Sequence, residues 1–342
     1  MRIFPASLVP WSGLGRVNPL RTRMVQELRH NSPLLSCRID PTGRFVFAGA
    51  QDNSIQRWEL ANARKTSFTG HRSWVRGMTF LPTTRKLISG DYSGRVLIWQ
   101  LDAETPAAEQ TIVAHRGWTR MVAVRPNGQL LATCGNDNLV RLWNPANGNP
   151  IRTFEGHTCH VYNVAFHPGG QFLVSGDLRG IVKQWDLARG TETRSFDAGV
   201  LFRHDNTFRA DIGGVRSMAF NANGSLLACS GITDVNNAFA GIGRPVVVLF
   251  DWQTGARRQL LRPAANFNGT AWGVGFHPSG FIAGVGGGNG GALWFWRPDQ
   301  ANSFHAVNLP NNARDLHLHP DGRRLAIAFF DGVVRIYDMM AG

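Results

Sequence analysis

Short apolar runs alternate with turn-forming residues along almost the whole chain. Within residues 157–198, Val161–Phe166, Phe172–Ser175 and Ile181–Trp185 are mostly apolar, and Pro, Gly and Asp separate them. Glu192–Phe196 follows as a more polar alternation, which is typical of an edge strand. Runs of β-branched and aromatic residues between turns predict strands, and no stretch keeps a helical period. The pattern predicts an all-β protein built from four-stranded antiparallel units.

This unit recurs seven times. In each copy a turn residue is followed by an aromatic residue, and five of the seven pairs are 17 residues apart. The pairs are Pro41/Trp58, Pro82/Trp99, Pro126/Trp143, Pro168/Trp185, Ala222/Phe250, Pro278/Trp296 and Pro320/Tyr337. Self-similarity at about 40 residues indicates a repeat architecture. We therefore expect one domain over residues 23–342, although the length alone would favour two.

The repeat resembles a known family. Its copies open with Gly70-His71, Ala114-His115 and Gly156-His157, and several close on Trp or Tyr followed by an acidic residue, as in Trp185-Asp186 and Tyr337-Asp338. In the first four repeats the opening His precedes the closing Trp by 28 residues. This resembles the WD repeat. The resemblance implies a seven-bladed β-propeller, with four-stranded blades packed around a central channel.

The ring of blades has to close. The chain ends just after the third strand of the last repeat, whereas Met24–Arg29 precede the first repeat and have no blade of their own. We expect these residues to supply the missing outer strand, which removes two open sheet edges. Residues 1–22, which are free of acidic side chains, are predicted to be a disordered extension.

The resemblance also implies a structural hydrogen-bond network within the blades, made by the opening His, a strand Ser or Thr, a turn Asp and the closing Trp. His115, Thr133, Asp137 and Trp143 match it in full, and His30, Asp52 and Trp58 match it in part. His71 with Trp99, and His157 with Trp185, are expected to take part in the second and fourth repeats. There Ser93 and Arg179 occupy the Asp position, and Asp91 and Asp177 lie two residues earlier.

The net charge and the cysteines limit the functions that the sequence allows. The net charge is +13, but 33 Arg against 3 Lys points to a GC-rich genome more than to nucleic-acid binding, and no basic run occurs. Four cysteines lie in different repeats without a CxxC pair, so neither disulfides nor a zinc site is predicted. The sequence contains no apolar run of about 18 residues, so no membrane span is predicted, and we expect a cytoplasmic protein.

Catalytic chemistry is not indicated by the residues predicted to face the channel. Only Asp315 and His317 could ligate a metal there, and both come from one blade. We therefore predict no enzyme activity, no metal and no cofactor. His167, His277 and His319 precede turn residues and are interpreted as ordinary turn positions.

Arginine and aromatic residues recur at one predicted rim of the ring, called the top. Reading six and eight residues before each turn gives the predicted partner-binding residues Trp74, Arg76, Trp118, Arg120, His160, Tyr162, Arg216, Trp272 and Arg314. Such residues dominate interface energetics, and an arginine ring suits an acidic or phosphorylated peptide. The alternative is that these arginines pair with turn residues such as Asp52 and Asp137.

Two insertions border the fifth repeat at the same rim, and they add Phe202, Phe208 and Phe239 to the predicted partner-binding residues. Loops on a rigid scaffold often carry binding specificity. The hypothesis is a non-catalytic protein-interaction scaffold that binds partner proteins or peptides at its top face. The alternative is nucleic-acid or polyanion binding through the arginine-rich surface.

Overall fold

The computed structural model describes residues 17–82, 84–237 and 242–340, which form an all-β ring of seven blades. Each blade is a four-stranded antiparallel sheet, and a two-stranded hairpin lies between the fourth and fifth blades. Helical structure in the described residues is limited to two 3-10 turns, Pro19–Arg21 and Gly199–Leu201. The predicted fold class is confirmed. No helix in this part of the chain is long and apolar enough to cross a bilayer.

The first strand, β1 (Thr22–Arg29), is followed by the first four blades in chain order. Blade 1 contains β2 (Leu34–Ile39), β3 (Phe45–Ala50), β4 (Ile55–Glu59) and β5 (Lys65–Phe68). Blade 2 contains β6 (Val75–Leu81), β7 (Lys86–Asp91), β8 (Arg95–Gln100) and β9 (Ala108–Val113). Blade 3 contains β10 (Thr119–Val124), β11 (Leu131–Gly135), β12 (Val140–Trp143) and β13 (Pro150–Phe154). Blade 4 contains β14 (Val161–Phe166), β15 (Phe172–Asp177), β16 (Ile181–Asp186) and β17 (Thr191–Asp197).

The second part of the ring carries both predicted insertions. The first is the hairpin β18 (Phe202–Asp205) and β19 (Ala210–Gly213). Blade 5 contains β20 (Ser217–Phe220), the long pair β21 (Leu226–Asn237) and β22 (Ile242–Asp251), and β23 (Arg257–Leu261). Blade 6 contains β24 (Gly269–Phe276), β25 (Ile282–Gly288), β26 (Gly290–Trp296) and β27 (His305–Leu309). Blade 7 contains β28 (Ala313–Leu318), β29 (Arg324–Phe329), β30 (Val333–Met339) and β1.

The innermost strands surround a central channel. They are β2, β6, β10, β14, β20, β24 and β28; each contacts the next, and β28 returns to β2. Hydrophobic clusters lie between adjacent blades, such as the one that joins Leu28 and Val334 of blade 7 to Trp58 of blade 1. The closing aromatic residue of every repeat is buried, namely Trp58, Trp99, Trp143, Trp185, Phe250, Trp296 and Tyr337. The repeated aromatic therefore marks the core between blades.

The ring closes through the amino-terminal strand, as predicted. Strand β1 pairs antiparallel with β30, from Thr22 opposite Met339 to Arg29 opposite Val333. A side-chain contact reinforces the pairing, because Arg335 Nε donates to Glu27 Oε1 at 2.7 Å. The last blade is thus completed by residues from the other end of the chain.

The predicted boundary at residue 22 needs a correction, since the residues just before it belong to the folded ring. Pro19–Arg21 form a 3-10 turn, and the Asn18 N–H donates to Met339 O at 3.4 Å. Val17 packs against the hydrophobic cluster between blades 6 and 7. Residues 1–16, the rest of the predicted extension, lie outside the described residues.

Histidines in the bottom turns join neighbouring blades, which the sequence interpretation missed. In each case Nδ1 accepts the N–H two residues later, and Nε2 donates to the carbonyl of a turn glycine in the next blade. The pairs are His167–Gly224, His277–Gly322 and His319–Gly43. Glycine is needed at Gly43, where φ is +74° and an added Cβ would lie 2.6 Å from the His319 ring. These residues are contacts between blades rather than simple turn positions.

Candidate functional site

A β-bulge at the same place in the inner strands gives the top of the channel its chemistry. In six of the blades the pairing of the inner strand with the second strand shifts by one residue, and the residue at the shift has no partner on the second strand. These residues are Leu35, Arg76, Arg120, Tyr162, Trp272 and Arg314. In blade 5 the corresponding Arg216 lies directly before β20. A bulge leaves one residue unpaired and re-aims its side chain.

All seven of these residues line one cavity of about 260 Å³, which we call the top cavity. Its remaining wall comes from Gln51, Trp74, Tyr92, Trp118 and Phe330. The structure therefore brings eight of the predicted partner-binding residues together: Trp74, Arg76, Trp118, Arg120, Tyr162, Arg216, Trp272 and Arg314. His160 does not line the cavity, although its carbonyl accepts the N–H of Leu178 in the adjoining turn.

Gln51, Tyr92 and Phe330 were missed by the sequence analysis. Each follows the second strand of its blade, and its backbone N–H donates to the residue at the entry of the inner strand, as Tyr92 N–H does to Trp74 O. Each also lies ten residues after the turn proline of its repeat. Reading that second offset would have found them.

Arginine and aromatic side chains alternate around the top cavity. The guanidinium of Arg120 lies 4.3 Å from the ring centroids of both Trp118 and Tyr162. Arg216 lies 4.8 Å from Tyr162 and 5.0 Å from Trp272. Stacking on aromatic faces holds each guanidinium in place and leaves its N–H edge available for a ligand.

The series continues on both sides. Arg314 lies 4.7 Å from Trp272 and 4.6 Å from Phe330. At the other end Tyr92 stacks on Trp118, with centroids 4.0 Å apart and planes inclined by 4°. The top cavity is therefore a largely continuous ladder of planar groups. Such stacking preorganises the site, because contacts with aromatic rings restrict the long arginine side chains before a ligand binds.

The positive charge of the top cavity is not compensated by the protein. Within the described residues, none of the four cavity arginines makes an ion pair, and no acidic residue lines the cavity. Arg120 Nε donates to Asn136 Oδ1 at 2.7 Å, whereas the buried Nε atoms of Arg216 and Arg314 have no hydrogen-bond partner. The alternative that these arginines pair with turn aspartates is wrong, because Asp52 binds His30 and Ser54, and Asp137 binds His115 and Arg141.

Burial and mutual repulsion act on these charges together. Burial, followed by the charge of Arg76, lowers the pKa of Arg216 to about 10, and the same two effects lower the pKa of Arg314 to about 10. Both guanidinium groups remain protonated at neutral pH. The arrangement therefore favours an anionic group, which would relieve the repulsion and accept the free N–H groups.

The hydrogen-bond network is present in the second, third and fourth blades. In blade 3, His115 contacts Asp137 at 2.8 Å and Thr133 at 2.7 Å, and Trp143 Nε1 donates to Thr133 Oγ1 at 3.0 Å. Blade 1 retains the contact between His30 and Asp52 at 2.7 Å, with Ala48 at the strand position.

In blades 2 and 4 the aspartate two residues earlier takes the acceptor role, so Ser93 and Arg179 do not. Asp91 contacts His71 at 2.9 Å, and Asp177 contacts His157 at 2.8 Å. The networks continue through Ser89 to Trp99 and through Ser175 to Trp185. Burial opposes ionisation of Asp91, but hydrogen bonds from His71 and Ser93 outweigh it and lower the pKa of Asp91 to about 2.

The described residues of the two insertions do not line the top cavity. Phe202 is half-buried in the hairpin β18–β19, and Phe208 at its tip is exposed. Arg203 donates to the Val235 carbonyl, which links this hairpin to the long strands of blade 5. Phe239 lies outside the described residues.

The two candidate metal ligands have other roles in the structure. Asp315 accepts from Arg38 Nη1 at 2.5 Å and from the Cys37 N–H at 3.1 Å, and His317 Nδ1 accepts the Ile39 N–H at 3.2 Å. In the part of the chain that the structure describes, no three His, Cys, Asp or Glu residues are grouped to hold a metal ion.

Comparison with known proteins adds two findings. The family profile "WD domain, G-beta repeat" matches residues 22–59, 62–100, 108–144, 148–186 and 306–338, which together exceed half of the chain. The chain is also similar to "Uncharacterized WD repeat-containing protein C126.01c" of Schizosaccharomyces pombe, at 24% identity over 143 residues. That match covers 39% of this chain and 39% of the relative. The profile matches omit blades 5 and 6, where Phe250 replaces Trp and Trp296 Nε1 donates to the Arg262 carbonyl instead of a hydroxyl.

Proposed function

The chain belongs to the WD-repeat family, whose members generally bind protein partners, and from this premise we propose that it is a non-catalytic scaffold that binds an anionic segment of a partner protein in the top cavity. The segment carries a phosphorylated or acidic side chain. The proposal places this interaction in the cytoplasm.

One observation carries this proposal: four arginines that make no ion pair within the described residues line one cavity at the channel mouth. Uncompensated buried charge is costly unless something pairs with it. A volume of about 260 Å³ is small for a drug-sized ligand and suits one side chain or a small anion. The aromatic residues between the arginines provide apolar contact for the rest of the segment.

Arginines elsewhere on the surface are different, and this favours a localised site over general polyanion binding. Many of them are paired with carboxylates, including Arg44–Glu59 (2.7 Å), Arg64–Glu104 (2.7 Å), Arg85–Asp102 (3.1 Å) and Arg323–Asp338 (2.6 Å). Pairing reduces their pull on a phosphate backbone. Net charge +13 still makes nucleic-acid binding the alternative to test.

The test uses two peptides that differ in one phosphate, Ala-Ala-phosphoserine-Ala-Ala and its unphosphorylated form. We expect the phosphopeptide to change the fluorescence of Trp118 and Trp272 and to bind at least about tenfold more tightly. Replacing Arg120 by Gln should cost about 2 kcal/mol of binding, or roughly thirtyfold in affinity. Arg85→Gln is the matched control, because Arg85 is paired and lies on the surface.

Two outcomes would contradict the proposal. Equal affinity of Arg120→Gln and Arg85→Gln for the phosphopeptide would show that the phosphopeptide does not bind in the top cavity. Alternatively, tight binding of unrelated duplex DNA that falls log-linearly with salt, together with no peptide binding, would favour the polyanion alternative. If neither outcome is observed, proteins that the wild type captures and Arg120→Gln does not capture would identify the natural ligand.

A further inference from the structure

A second cavity, of about 280 Å³, lies in the lower half of the channel. Inner strands of blades 1, 5, 6 and 7 form most of its wall, and the rest comes from the hydrophobic cluster between blades 6 and 7, through Phe281, Ala283, Leu325 and Met339. We call it the lower cavity. It differs from the top cavity in charge, because it contains one arginine instead of four and that arginine is paired with Asp315. Its apolar surface comes from side chains such as Phe276, Phe281, Leu318 and Met339.

The polar side chains of the lower cavity are Arg38, Ser217, His277, Asp315 and His317, and the charges of Arg38 and Asp315 offset each other. Arg38 and Asp315 form an ion pair at 2.5 Å, and Asp315 also accepts the Cys37 and Leu316 N–H groups. Arg38 uses Nη1 for Asp315 and for the Cys37 carbonyl. Its Nε and Nη2 make no hydrogen bond within the described residues, so they remain as donors.

His317 supplies another donor. Its Nδ1 accepts the Ile39 N–H, so the proton of the neutral ring is on Nε2. Burial, followed by the charges of Arg38 and His319, lowers the pKa of His317 to about 3, which keeps the ring neutral at physiological pH. The lower cavity thus offers hydrogen-bond donors beside an apolar wall, with no net charge to attract an ion.

Size limits what can enter. A cavity of roughly 150 Å³ holds benzene, so about 280 Å³ accommodates a molecule of one or two rings. The lower cavity combines apolar walls with convergent polar groups, and this combination is typical of a small-molecule site. Gly275 contributes to the open space, since a Cβ there would meet only Leu316 Cδ1, at 3.7 Å.

We propose that the lower cavity binds an uncharged organic molecule of one or two rings that carries a carbonyl oxygen. The carbonyl accepts hydrogen bonds from His317 Nε2 and Arg38, and the rings lie against Phe281 and Leu318. This site is separate from the top cavity, and the two ligands differ in charge.

The test compares 1-indanone, which has a carbonyl, with indane, which has the same rings and no acceptor. Saturation-transfer NMR and calorimetry on the full chain measure both affinities. The hydrogen bonds from His317 Nε2 and Arg38 to the carbonyl predict that 1-indanone binds at least about tenfold more tightly than indane. His317→Asn can still accept the Ile39 N–H but lacks Nε2, so it should reduce this preference.

Filling the cavity tests its location. Gly275→Met should abolish binding of both probes. If that variant does not fold, Gly275→Ala takes its place, and it should weaken binding of both probes by a smaller factor. Ala123→Met is the matched control, because Ala123 has the same position before the turn proline in blade 3 and does not line the lower cavity. We expect this variant to bind 1-indanone as the wild type does.

Three results would overturn the proposal. The first is no binding of 1-indanone at millimolar concentration. The second is unchanged binding by a folded Gly275→Met or Gly275→Ala. The third is tighter binding of 1-indanecarboxylate than of 1-indanone, which would mean that the lower cavity selects an anion.

Discussion

Mild acid should destabilise the ring through His317. In the unfolded chain its pKa is near 6.5, whereas burial, followed by the charges of Arg38 and His319, lowers it to about 3 in the folded protein. The folded state therefore binds the proton less readily. The stabilisation is complete above pH 6.5 and is lost as the pH falls from there toward 3.

The size of the effect follows from these two values. At pH 5 the linkage relation predicts that His317 alone lowers the free energy of unfolding by at most about 2 kcal/mol relative to pH 7.5. Burial also lowers the pKa values of His115, His167 and His277, which adds to the acid sensitivity. A comparison with one variant separates the contribution of His317 from theirs.

The variant is His317→Asn, which keeps an acceptor for the Ile39 N–H and removes the titrating ring. Urea unfolding at pH 7.5, 6 and 5 gives the free energy of unfolding of both proteins. We expect the wild type to lose up to about 2 kcal/mol more than the variant by pH 5. Equal losses, or an NMR titration that places the pKa of His317 near 6.5, would refute the argument.

Two further predictions concern the architecture. Deleting residues 1–21 should lower the melting temperature only modestly, whereas deleting residues 1–29 should expose β30 and cause aggregation, because β1 is then lost; equal melting temperatures in thermal scans would contradict this. Thr133→Val should cost about 2–4 kcal/mol of stability in urea unfolding, since it leaves His115 Nε2 and Trp143 Nε1 buried without a partner; a loss below about 0.5 kcal/mol would show that the network is not stabilising.

Repetition explains why so much of the fold was predictable. Strand positions, closing aromatics and inner-strand residues recur at fixed offsets, so each repeat reports on the others. The same offsets identified Arg120, Arg216 and Arg314, which the structure brings together in the top cavity. Closure by β1 followed from counting strands and from the cost of open edges.

Contacts between blades were harder to predict, because they depend on pairs of repeats. His167 and Gly224 are 57 residues apart, and nothing in either repeat alone reveals that they meet. The fixed offset also placed Ser93 at the aspartate position of the second repeat and left the role of Asp91, two residues earlier, open, whereas Asp91 contacts His71 in the structure. The strand β7 ends at Asp91, so its side chain can reach His71 from the strand end instead of the turn.

The lower cavity was also hard to predict from sequence, because it is formed by residues from several repeats. Asp315 and His317 stood out in the sequence as possible metal ligands, but the other residues did not: Gly275 and Ala219 are small, and Arg38 comes from a blade at the opposite end of the chain from His317. Only closure of the ring places β28 beside β2 and so brings Arg38 to Asp315. A site that depends on closure is invisible to any single-repeat comparison.

The blades share one backbone arrangement but differ in their side chains. We infer that some blades mainly stabilise the ring and that others mainly contribute to binding. The His–hydroxyl–Trp networks lie in blades 2, 3 and 4, whereas blades 5 and 6 lack them and carry Ser217, Ala219 and Gly275 of the lower cavity. Small residues at an inner strand leave space at the cost of packing. We therefore propose that blades 5 and 6 contribute to ligand binding, whereas the network blades and the closing strand stabilise the ring. If that is correct, filling the lower cavity with Gly275→Met raises the melting temperature while Thr133→Val lowers it, and the reverse order in thermal scans would contradict the division.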